Sequence, residues 1–334
     1  MKSTGKIIAV LLLLIILANP IGALTIKLGS LAPVGSPWDN ALRQLAAEWQ
    51  KISRGRVNMK IYPGGIAGDE PDMLRKIRIR QLDATGITGI GMTHIAPNVL
   101  AVQLPMLLRN DAELDYVLQK MKPLFEEEFE SKGFKVILWT MAGWAHFFAR
   151  EPIVYPEDLR NQKFFITEGS RNDAQAWKKM GFHVVPLSVN DVLPALQSGM
   201  VDAVTTTPLA AAALQWFGLA KNMCGLKWAP MIGSIVISTR TWERIPESIR
   251  PELLEAANKI ERSLRVEAVK IEAQAMEVMK ENGLVLNPFP PEAEKEWRKI
   301  VDNGLDMLIG RSFDRKTYDL VRSHLKDYRD NHAP

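Results

Sequence analysis

The chain has 334 residues, 47% hydrophobic and 24% charged, with 42 basic residues against 38 acidic ones. That length and balance allow two domains with sizeable cores and exclude a disordered chain. A formal charge of +4 is too small to imply nucleic acid or a membrane surface as partner, and the single cysteine, Cys224, excludes an intrachain disulfide.

The N-terminus reads as a secretory signal. Lys2 and Lys6 precede an apolar run at 7–18, and the small-residue stretch 19–23 ends at Ala23, after which cleavage is expected. The run is too short for a comfortable membrane span. Removing 1–23 leaves 40 basic against 38 acidic residues. Export without a disulfide suggests a bacterial periplasm.

From Leu24 the pattern alternates between strand and helix. Leu24, Ile26 and Leu28 open a strand over 24–32. Ser36 or Asp39 caps a helix whose Ala41, Leu42, Leu45, Ala46 and Trp49 recur at helical spacing, with Gly55 past its end. A second strand runs over 56–65, then a helix and a short strand near 83–88. This β-α-β-α-β rhythm predicts a parallel sheet covered by helices. A helix over 111–133 and a strand over 134–143 follow, with further strand candidates at 146–150 and 163–167. Next come a helix at 171–181, a strand at 182–187, and a helix then a strand within 188–208. A buried strand at 232–238 precedes one very long helix stopped by Gly283, and the charged last fifty residues are mostly helical.

The stretch 149–159 is the best domain boundary, and the strand pattern that resumes at 232 suggests that the chain returns between lobes. The expected division is 24–147 with about 232–262 as lobe I, and 148–231 with about 263–334 as lobe II. Two lobes joined at separate places form a hinge with a cleft between them.

Catalytic chemistry is absent from the pattern. His94, His146, His183, His324 and His332 are scattered without metal-type spacing, so no metal site is expected. The glycine-rich stretch 86–92 lacks the third glycine of a dinucleotide turn and the Lys-Ser/Thr of a phosphate loop. Its Gly89, followed by Ile90, reads as backbone room beside a cleft. No nucleophile elbow occurs, and Cys224 has no histidine near it in sequence. The acidic stretch 125–130 reads as the solvated face of a helix. Neither an enzyme nor a cofactor is called for.

The segments "LAPVGSPWDNALRQLAAEWQKISRGRVNMKIYPGG" (31–65), "PEDLRNQKFFIT" (156–167) and "MGFHVVPLSVNDVLPALQSGMVDAV" (180–204) stand in an order that resembles the solute-binding proteins of TRAP transporters. The resemblance implies an α/β, two-lobed periplasmic binding protein fold with parallel-rich mixed sheets, an interlobe cleft and a long helix spanning both lobes. It implies no catalysis: a small-molecule ligand is captured by lobe closure and delivered to TRAP membrane permease subunits. An auxiliary periplasmic protein is a further partner to consider, and a sensor subunit docking to a membrane kinase is a rival of another class.

Two departures from the family bear on the ligand. Members that carry organic acids typically read K-I-R-V-P where this chain has Lys163-Phe164-Phe165-Ile166-Thr167, so Phe165 stands where an arginine would clamp a carboxylate. Many relatives read G-F-R where this chain has Gly143-Trp144-Ala145. Strand alternation puts Phe164 and Ile166 on one face and Phe165 with Thr167 on the other. The expected lining is therefore apolar: Trp38, Gly89, Ile90, Trp139, Met141, Trp144, Ala145, Phe165, Thr167 and Trp228, with Thr206, Thr207 and Pro208 supplying orienting hydroxyls and a turn. Trp38 and Trp228 can equally serve a core, and Trp139, on a buried-looking strand, suits a core better. Trp49, Trp177, Trp216, Trp242 and Trp297 read as packing. The expected ligand is neutral, hydrophobic or amphipathic; the alternative is an organic acid held by a relocated arginine, Arg150, Arg160 or Arg171.

Overall fold

The computed structural model of the chain describes residues 23–168 and 171–332, with the side chains of 171–173 outside that description. The expected secretory signal, up to residue 22, also lies outside it. Among the described residues no helix is long and apolar enough to cross a membrane.

Strand β1 (Leu24–Ser30) buries Leu24, Ile26 and Leu28 and exposes Thr25 and Lys27. It lies parallel to β2 (Val57–Tyr62) on one side and β3 (Ala84–Thr88) on the other, with α1 (Pro37–Ile52) and α2 (Glu70–Arg78) as crossovers. Ser36 caps α1, its Oγ accepting a hydrogen bond from Asp39 N at 3.3 Å, with Pro37 at the first helical position. Asp39 instead accepts from Gly35 N and pairs with Arg43, both at 2.9 Å. The short α3 (Gly89–Thr93) then leads to α4 (Asp111–Ser131).

Strand β4 (Phe134–Ala149) is one 16-residue strand, where the sequence suggested two. At about 3.3 Å per residue it is long enough to serve two sheets. Beyond it lie α5 (Pro156–Arg160), β5 (Lys163–Thr167), α6 (Arg171–Lys179), β6 (His183–Leu187), α7 (Val192–Ser198), β7 (Ala203–Thr206) and α8 (Pro208–Ala213). They are followed by β8 (Asn222–Cys224), β9 (Ala229–Ser238), α9 (Thr239–Glu243), α10 (Arg250–Glu281), β10 (Val285–Asn287), α11 (Pro291–Leu308) and α12 (Arg315–Asn331). The strand order is β2-β1-β3-β9-β4-β7-β5-β6, with β8 pairing β4 and β10. Up to Ala145, β4 pairs antiparallel with β9 in the first lobe's sheet; from His146 it pairs with β7 in the second.

Each sheet is covered on both faces. In the first lobe Met73, Phe125 and Val236 fill one face and Ile26, Trp49 and Leu253 the other. In the second lobe Phe147, Phe164, Trp228 and Trp297 fill one face, and Phe148, Phe165, Val204 and Trp216 the other. Helix α10, 32 residues and about 48 Å at 1.5 Å per residue, packs on α1 and β4 in the first lobe and on α8 in the second. The last helix departs from the expected division. Placed by sequence with the second lobe, α12 packs on α4, and Arg329 Nε pairs with Glu113 Oε1 at 2.8 Å.

Candidate ligand cleft

Two parallel pairs of strands, β1 with β3 and β5 with β7, end at one cavity of about 450 Å³ between the two sheets. Ser30, Thr88, Thr167 and Thr206, the last residues of those strands, all line it. Open α/β sheets bind ligands outside the carboxyl ends of their strands, because the connecting loops leave a crevice there. Helix α10 contributes Ile260, Glu261 and Leu264. The lobes approach closely where a Cβ at Gly65 would lie 2.5 Å from Asn190 Nδ2.

Phe165 has the strand parity expected of it. Phe164 packs with Phe147 and Trp177, at ring centroid distances of 5.8 and 5.2 Å, whereas Phe165 meets Trp216 edge-on at 5.9 Å on the opposite face. Only 6% exposed, Phe165 serves both the core of its lobe and the cavity wall. Trp38, Gly89, Ile90, Ala145, Thr167, Thr206, Thr207 and Trp228 also stand on the wall. Thr207 caps α8, accepting from Ala210 N at 3.2 Å, and Trp228 packs against Phe147 at 5.0 Å.

Trp139, Met141, Trp144 and Pro208 do not line the cavity, and the geometry of β4 says why for the first three. Register shifts fall between Val136 and Leu138 and between Met141 and Gly143, where φ of Gly143 is 108°. Each extra residue flips the alternation. Leu138, Thr140 and Ala142 therefore face the cavity, and after the second shift Ala145 does. Trp139, Met141 and Trp144 fall on the α4 side: Trp139 Nε1 donates to Glu126 Oε1 at 2.8 Å, and Trp144 Nε1 to Asp111 Oδ1 at 2.7 Å. Pro208 is buried as the first residue of α8.

Several wall residues were not anticipated. Trp177 and Trp216, assigned to packing, border the cavity while they pack. Glu70 reads in the sequence as an ordinary first-turn acid before Pro71. It is buried, and its oxygens accept hydrogen bonds from Thr88 N at 2.5 Å and Thr88 Oγ1 at 2.9 Å. Burial, outweighing those bonds, pushes its pKa up to about 7. Burial also raises that of Glu261.

Glu70 and Glu261 are the charged residues on the described wall, which includes no lysine, arginine or histidine. Arg150 pairs with Asp202 at 3.5 Å and donates to the Leu196 carbonyl. Arg160 pairs with Glu157 at 2.9 Å and lies over the Phe182 ring at 5.1 Å. The side chain of Arg171 is outside the described residues. Among the described residues no group of histidines, cysteines and carboxylates can hold a metal ion.

The model of the bacterial extracellular solute-binding protein family 7 (DctP) matches residues 28–310. The sialic acid-binding periplasmic protein SiaP of Vibrio cholerae is 24% identical over 314 residues, 91% of this chain and 96% of that protein. A TRAP periplasmic solute-binding protein of Xanthobacter autotrophicus, solved with β-D-galacturonate, superposes with a TM-score of 0.82 at 20% identity, covering 90% of this chain and 99% of that one. One from Sulfurospirillum deleyianum, solved with succinate, gives 0.81 at 20% identity over 91% and 98%. Members of the family are periplasmic receptors that bind a small molecule and deliver it to a membrane permease, without catalysis. With the family model spanning most of its length, this chain belongs to the family 7 extracellular solute-binding proteins, the TRAP-type solute receptors.

Proposed function

We propose that this receptor works in the periplasm after removal of its N-terminal signal, and that it captures an uncharged, largely apolar or amphipathic molecule by closure of its lobes. The observation that carries this is the wall of the cleft, which is mostly aliphatic and aromatic, includes two carboxyl groups, and lacks a cation among its described residues. A carboxylate entering a closed cleft loses hydration worth several kcal/mol, which an arginine ordinarily offsets. Here Phe165 occupies the strand position where the family resemblance puts that arginine, and the two carboxyl groups, Glu70 and Glu261, put no positive charge in its place. Each buried methylene of an apolar ligand instead contributes about 0.8 kcal/mol.

The relatives argue the other way, since sialic acid, galacturonate and succinate are all acids. At 20 to 24% identity they are alike in fold and family, and the acids are those of the relatives. Arg150 and Arg160, already engaged elsewhere, do not favour the organic-acid alternative. Neither the fold nor the relatives supply a reason to add an auxiliary periplasmic protein or a sensor role.

Isothermal titration calorimetry of the mature chain with succinate and galacturonate tests the proposal. The expected result is no binding by the wild type at millimolar concentration, and measurable binding by Phe165→Arg. Micromolar affinity of the wild type for either acid would overturn it.

A further inference from the structure

We propose that residues 104–109 form a non-covalent link between the lobes, beside the three covalent ones, and that Met106 is the positioning residue that fixes the angle between them. The link serves the receptor whichever molecule the cleft takes.

Leu104 and Leu108 are buried in the core of the first lobe, with Val102 and Leu114. Met106, midway between them, is buried in the core of the second, with Phe147, Trp228 and Trp297. The chain thus dips from one lobe into the other and returns within a single turn. Leu107 N is directed back to Leu104 O at 3.4 Å, with Pro105 second in the turn and Met106 third. There φ of Met106 is 55°. That left-handed position favours glycine, and a side chain in it stores strain. A methionine persists there because its flexible thioether fills an irregular gap among aromatic rings.

The two lobes hold the turn from opposite sides. In the second lobe, Met106 N donates to Trp228 O at 2.8 Å, and Arg298 Nη1 of α11 lies 3.5 Å from Met106 O. Trp228 N in turn donates to Ala145 O at 2.8 Å, and Ala145 is the last residue of β4 paired in the first lobe's sheet. Met106 therefore joins the crossing strands at the point where β4 changes sheets. In the first lobe, Arg329 Nη2 of α12 donates to Leu107 O at 3.1 Å and to Glu113 Oε2 at 2.9 Å. Arg109 N donates to the same carboxylate oxygen at 2.8 Å. A change in lobe angle must then be absorbed between Met106 and Leu107, at the strained position. Leu104, Pro105 and Trp228 also line the cavity, so a bound molecule bears on the link itself.

Double electron–electron resonance on the mature chain tests this, with spin labels at Val34→Cys on the first lobe and Asp191→Cys on the second. Both positions are exposed, and the native Cys224 is buried. Met106→Gly removes the side chain and suits the backbone of the turn. The expected result is an interlobe distance distribution roughly twofold wider than that of the wild type. Ile153→Ala, in the same second-lobe core, should lower the urea midpoint and leave the distribution as it is. Arg329→Gln, which frees the first-lobe side, should widen it too and stands in should Met106→Gly fail to fold. A distribution unchanged in the variant that folds, or widened as much by Ile153→Ala, overturns the role of Met106 in setting the lobe angle.

Discussion

Glu70 is the residue whose charge depends most on the fold. Burial holds its pKa near 7 against an ordinary 4.5, so the folded protein grips this proton more tightly than the unfolded chain does. The stabilisation is therefore full below about pH 4.5 and is lost as pH rises through about 7, by roughly 3 kcal/mol. Urea midpoints at pH 5 and pH 8 should show the wild type losing stability at the higher pH and Glu70→Gln losing markedly less; equal losses would place the titration in another group. Strand parity separates Phe165 from Phe164 as the sequence suggested, yet Phe164 and Ile166 also reach the cavity wall. Glu70 gave no such signal, because an acid at a helix start is ordinary. Its place appears only when α2 and the end of β3 bring it against Thr88 at the cavity wall.

At the scale of elements, β4 carries most of the information and most of the surprise. Its alternation reads cleanly up to Val136, and then two bulges reverse it twice. Trp139, Met141 and Trp144 were expected at the cavity from their place near the crossover, and the bulged strand turns all three to the α4 side. The second bulge depends on Gly143, whose φ of 108° disfavours any side chain and whose Cβ would lie 3.0 Å from Glu272 Oε2. Gly143→Ala should cost about 1–3 kcal/mol, read as a lower urea midpoint. A midpoint unchanged within error would show that the bulge tolerates a side chain. The β-α rhythm, the Ser36 cap and the long helix were all written locally, in hydrophobic period and capping residues. The return of α12 to the first lobe was not, since Arg329 and Glu113 meet across 216 positions.

Across the whole molecule, β4, β9 and α10 link the lobes, and the same connections put four strand ends around one cavity. Closure about such a triple connection is a bend in shared elements, which lets a ligand contact both lobes in the closed state alone. Two lobes and a cleft were expected from the order of elements and a bracing helix from the family resemblance; the ligand class proposed here rests on a few positions where this chain departs from the family pattern. Affinity then depends on what the wall rewards, and a wall of Trp38, Phe165, Trp177, Trp216 and Trp228 rewards apolar area. Native mass spectrometry of the receptor purified from the cells that make it tests this most directly, by weighing and fragmenting the molecule it retains. The account predicts a compound uncharged in neutral water and mostly hydrocarbon. A dicarboxylate, a uronate or a phosphate ester in the cleft would contradict it.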